Sequence, residues 1–186
     1  MKGAYWTTRE YVFAAMTSVA LLVVASVVIP VTLPLRIPGL ANAVNAFFAS
    51  IFIVIGLVRL RRPGSLLLIT GLYSLICLVA ASPVVFGFVL GGGAVSELIC
   101  SGLFRGYRGT RAPLVGTVLY EMAMFPFAML LSFFFLPERY GKIAPWIFVV
   151  AEIAIFATSL AGGLIGLKLA KELARAGKLD LGLSVR

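Results

Sequence analysis

Six apolar runs, each close to the length that crosses a bilayer, constrain this chain more than any other feature. A hydrocarbon core of about 30 Å needs roughly 20 apolar residues of helix. The runs cover residues 11–29, 40–58, 65–81, 84–104, 113–136 and 143–170, and a cytoplasmic tail follows at 171–186. Pro30, Pro83 and Pro137 stand at three of the boundaries. The apolar residues are continuous, without the alternation of a barrel strand, and unpaired backbone in lipid is too costly for an open sheet. The expected fold is therefore an all-α integral membrane protein. It is a single bundle of six transmembrane helices, one domain over residues 1–186. Only Ser82 and Pro83 separate the third and fourth runs, so these form a tight helical hairpin. The first run is longer than the apolar region of a signal peptide, and no small-residue cleavage site follows it closely, so it reads as a retained helix.

Charge orients the bundle. Lys and Arg number 16 against 7 Asp and Glu, a formal net charge of +9. With both termini in the cytoplasm, 13 of the basic residues fall inside and three, Arg36, Arg139 and Lys142, fall outside. That asymmetry is the positive-inside pattern, and contact with anionic lipid headgroups accounts for it without nucleic acid. The short basic loops at 59–64 and 105–111 also offer a surface for a cytoplasmic or membrane partner. The chain has no histidine, which removes His-based acid–base chemistry and His metal sites. Cys77 and Cys100 both lie inside apolar runs and form no redox or metal motif. No metal or bound cofactor is expected, and no Walker A motif is present.

The informative charges are those left at depth. Glu97, Glu121 and Glu152 lie inside apolar runs, with no Lys or Arg at similar depth. Each costs on the order of 2.5–3.5 kcal/mol at the bilayer centre. They must face the bundle interior, be protonated or contact a ligand. A rise of about 1.5 Å per residue puts all three in the middle third of consecutive helices, where they can converge. Such a pocket suits a cation, an amine or a polar heterocycle. Tyr120 and Phe125 accompany Glu121, and Phe148 and Phe156 share a helical face with Glu152. With Trp146 they can stack on a flat cationic ring. Asn42 and Asn45, three apart at the start of the second helix, can hydrogen-bond a substrate or cap that helix. Small residues allow close helix approach. The fourth helix has Gly87, Gly91, Gly92 and Gly93, and the sixth has Gly162 and Gly166, so these two helices are expected to pack together, or the fourth to be locally distorted.

These residues resemble a family. Six helices in under 200 residues, with both ends inside, are similar to the substrate-binding S components of energy-coupling factor (ECF) transporters. The opening Thr8-Arg9-Glu10-Tyr11-Val12-Phe13-Ala14-Ala15, the Arg61-Arg62-Pro63-Gly64 turn, the Gly91-Gly92-Gly93-Ala94-Val95-Ser96-Glu97 run and the ending from Gly162 to Leu179 carry the resemblance. The thiamin or hydroxymethylpyrimidine branch is the most similar, although that branch has an acid near the start of helix two, where Asn42 and Asn45 stand here. The resemblance implies a multi-pass protein of a prokaryotic plasma membrane that captures a vitamin-like solute. It implies docking on a transmembrane coupling subunit driven by two cytoplasmic ATPases, so that partners and not this chain use ATP. It further implies that a small-x3-small motif on helix one, here Ala14 and Ser18, meets the coupling subunit. Two other classes stay open: a proton-coupled transporter relaying protons through buried glutamates, and an integral membrane enzyme using the same carboxylates.

Overall fold

A computed structural model describes residues 6–35, 37, 39–135 and 145–177. Arg36, Arg139 and Lys142, the basic residues assigned outside, lie beyond the described residues, as do Lys2 and the tail from Lys178 onward. Among the described residues there are six α-helices and no β-strand: α1 Thr8–Thr32, α2 Leu40–Leu60, α3 Ser65–Ala80, α4 Pro83–Phe104, α5 Arg111–Phe135 and α6 Pro145–Arg175. Five are long and apolar enough to cross a membrane, and α3, with 16 residues, is shorter. Successive helices alternate in direction. The loops at 61–64 and 105–110 and the end of α6 share one end of the bundle, called here the basic end.

Local chemistry sets the helix limits. α1 begins before the apolar run because Thr7 and Glu10 close a capping box. The Thr7 amide donates to Glu10 Oε2 at 2.7 Å, and the Glu10 amide donates to Thr7 Oγ1 at 3.3 Å. Glu10 also pairs with Arg62 Nε at 3.4 Å, and the Arg62 guanidinium lies 5.8 Å from the centre of the Trp6 ring. This fastens the start of α1 to the loop before α3. Pro30 was expected to end the first helix, yet α1 runs through it to Thr32. Proline gives up its bond to the Ser26 carbonyl there, but only two residues of helix follow it, and Thr32 Oγ1 donates back to Val28 O at 2.7 Å in that last turn. The hairpin between α3 and α4 is present as expected. Ser82 caps α4 through Val85 N, with Pro83 in the first helical position.

The glycines pair different helices from those expected. α2 and α6 run parallel and make the most extensive contact in the bundle. A Cβ on Gly162 would strike the carbonyl of Phe47, and one on Gly166 would lie 2.8 Å from Ile51 O. α4 turns its glycines elsewhere: Gly92 onto the Met124 backbone of α5, at 2.9 Å for an added Cβ, and Gly93 onto Thr70 of α3. The expected α4–α6 pairing is therefore corrected: each helix spends its small face on another neighbour.

A second correction concerns α1. Ala14 and Ser18, expected on a docking face, are wholly buried. Ser18 Oγ donates to Ala14 O at 2.9 Å and to Ile69 O at 2.8 Å, so the small pair packs α1 against α3. The outward face of α1 carries Val12, Met16, Val19 and Val23 instead.

Two outcomes follow for stability. Gly162→Ala should lower the apparent melting temperature in detergent by several degrees. Gly102→Ala, whose Cβ meets nothing within 4 Å, should not. Ala14→Trp should unfold or strongly destabilise the isolated chain, whereas Met16→Trp, at a position 67% exposed, should not. Equal melting temperatures within either pair would contradict the packing described.

Candidate functional site

The three deep glutamates do not share one environment. Glu97, on α4, accepts four hydrogen bonds. The amide of Gly64 donates to Oε1 at 2.6 Å. The amides of Leu66 and Leu67 donate to Oε2 at 3.0 and 3.4 Å, and the Tyr107 hydroxyl donates to Oε2 at 2.9 Å. These amides sit at or beside the start of α3, where helix N–H groups have no partner of their own and the helix dipole favours an acid. Tyr107 is held by its own amide, which donates to Arg61 O at 3.2 Å. Burial, and then the nearby Glu97, push its phenol well above the ordinary range, so it remains a donor. The expectation that Glu97 lines a ligand pocket is corrected. Its oxygens are satisfied within the fold, at the basic end, about 21 Å along α4 from Pro83.

Glu121 and Glu152 are the opposite case. Both carboxyl oxygens of Glu121 are buried with no hydrogen-bond partner among the described residues, and so are Glu152 Oε2 and Asn45 Oδ1. Glu121 itself is 1% exposed. The helix registers place these groups in one slab. Glu152 and Phe125 line the same cavity between antiparallel α5 and α6, so Glu121 stands about one turn, roughly 6 Å, deeper than Phe125. On parallel α2, Gly39 meets Ala151 and Phe47 meets Gly162, which puts Asn45 within about a turn of the Glu121 level. Asn42 is half-buried one turn above Asn45.

The cavity beside Glu152 has a volume of about 780 Å³. Phe125 and Phe148 form part of its wall. Pro126, Met129, Leu130 and Phe133 on α5 line it too. Sequence reading passed over these four, although a proline in mid-helix beside Phe125 was the available signal. Tyr120 is buried in the core with Tyr73 and Met124, on the α5 turn that carries Glu121. Trp146 does not join this site: it is 65% exposed and lines a separate hollow with Leu40 and Ala43. Phe156 is also corrected, because 44% of it faces outward.

Chemically, the far half of the bundle offers buried carboxyl and amide oxygens whose acceptor positions are unfilled, beside aromatic walls. No metal-binding cluster of His, Cys, Asp or Glu occurs among the described residues.

The architecture is that of a polytopic helical membrane protein. No protein-family model matches the chain, and no curated protein matches it. Among solved structures it is similar to one titled "Crystal structure of an S-component of ECF transporter", with a TM-score of 0.69 and 20% identity, over 96% of this chain and 92% of that one. At that identity the likeness establishes a shared fold.

Glu97→Gln should cost roughly 1–3 kcal/mol of stability, because it replaces an acceptor oxygen with a donor against donors. Tyr107→Phe should cost about 1 kcal/mol. Both can be read by unfolding titration in mixed micelles. A neutral Glu97→Gln would contradict the cap.

Proposed function

We propose that the chain is the substrate-binding S component of an ECF-type importer in a prokaryotic plasma membrane. In this reading it captures a small vitamin-like solute, and it works with a transmembrane coupling subunit and two ATPases that consume the ATP. The observation that carries it is Glu152 Oε2, orphaned at the wall of a cavity, with the orphaned oxygens of Glu121 and Asn45 buried at nearby levels of a bundle of this fold. Each unpaired buried polar group costs roughly 1–3 kcal/mol, which a ligand that brings a donor to it recovers on binding. Unfilled carboxyl acceptors favour a cation, an amine or an amino-substituted ring and disfavour anions. Phe125 and Phe148 supply faces for such a ring. Thiamin or its hydroxymethylpyrimidine precursor has this chemistry and is the favoured ligand.

The test is a thermal-shift screen of the purified chain against thiamin, the pyrimidine precursor and anionic vitamins, followed by calorimetry. A basic ligand should stabilise the protein and the anions should not. Glu121→Gln and Glu152→Gln should each weaken its affinity at least tenfold with the fold intact. Unchanged affinity in both variants would refute the pocket assignment.

A further inference from the structure

The cavity at Glu152 has an unusual outlet. Its lining comes from α5 and α6 alone. The inner wall is closed: Phe125 is 4% exposed, and Glu152 Oε2 is buried without a partner. The outer wall is open. Leu130, Val149 and Ile153 line the same cavity and are 53%, 60% and 62% exposed on the outside of the bundle. These residues are not at the helix ends. Ile153 lies about 12 Å along α6 from Pro145, and Leu130 about 8 Å before the end of α5, so the mouth sits within the spanning part of both helices. A polar group therefore lies at the back of the cavity and lipid lies at its mouth.

Size points the same way. Pockets of roughly 300–1,000 Å³ hold drug-sized molecules, so about 780 Å³ exceeds what one heteroaromatic ring fills. The rest of the wall, including Pro126, Met129 and Phe133, is apolar and offers nothing to a second polar group.

We infer that this site takes a nitrogen base bearing an apolar substituent, with the base donating to Glu152 and the substituent lying in the α5–α6 groove toward the lipid. This rests on the proposed ligand-binding role of the far half and narrows the substrate class. Glu152 supplies the acceptor that the base needs. Phe125 and Phe148 flank its ring, and Leu130 and Ile153 cover the substituent. Entry from the outer leaflet follows from the position of the mouth.

The experiment compares two probes on the full chain in nanodiscs: the hydroxymethylpyrimidine, and the same pyrimidine with a butyl group replacing the hydroxymethyl. A buried methylene is worth about a fourfold gain in affinity, so the butyl compound should bind at least tenfold tighter. Ile153→Trp and Leu130→Trp, both at lipid-facing positions where bulk is tolerated by the fold, should each bring the ratio of the two affinities back toward one. Glu152→Gln should weaken the butyl compound at least tenfold. Equal affinities for the two probes in the unaltered chain would overturn the inference while leaving the importer reading intact. A butyl gain that survives all three substitutions is partition into the bilayer and also overturns it. Binding of the butyl compound alone would support the inference and remove the pyrimidine precursor as substrate. Binding of neither would overturn the inference and the pyrimidine as the favoured ligand.

Discussion

The parallel contact of α2 with α6 governs the rest of the bundle. Gly162 and Gly166 let α6 approach the carbonyls of Phe47 and Ile51 at backbone distance. In lipid there is no hydrophobic drive to bring helices together, so close packing of small residues carries the association. The contact also fixes the register. With Gly162 seated on Phe47, Glu152 faces the cavity with Phe125, and Asn45 comes within about a turn of the Glu121 level. A slip of one residue in α6 would rotate Glu152 by about 100° and turn it away from α5.

The membrane then applies one rule to every acid it encloses: donors must come from somewhere. Glu97 obeys it internally, with three amides and a tyrosine hydroxyl converging on one carboxyl group. The arrangement ties α3, α4 and the 105–110 loop together, and it sets the start of the short α3. Glu121 and Glu152 leave the rule unmet within the chain. Two unsatisfied acids and an asparagine gathered in one slab, away from the satisfied one, divide the molecule functionally. The basic end holds the fold together, and in the proposed reading the far half receives a ligand's donors.

Much of this was legible in the sequence. Spans follow from the length of apolar runs, and all six helices appeared where those runs placed them. Deep acids announce themselves by type, and Phe125, Phe148 and Glu152 met around one cavity. The failures share a physical cause, since a pattern along one helix does not name its partner. Ala14 and Ser18 form the same small pair whether they face a second protein or, as here, α3. The glycines of α4 and α6 promised close approach without saying to what. Glu97 looked like Glu121 because its donors at Gly64, Leu66 and Leu67 lie about thirty residues away in sequence, on the start of another helix.

The central claim is that Glu121 and Glu152 wait for a ligand while Glu97 does not. The chain holds six glutamates, so selective labelling of their side-chain carboxyl carbons gives a spectrum simple enough to assign by substitution. Titration of the labelled protein with the ligand found by thermal shift, followed by solid-state NMR, reads each carboxyl directly. The account predicts that the Glu121 and Glu152 signals move with saturation while Glu97 stays fixed. Movement of Glu97 alone, or saturation with neither Glu121 nor Glu152 displaced, would contradict it.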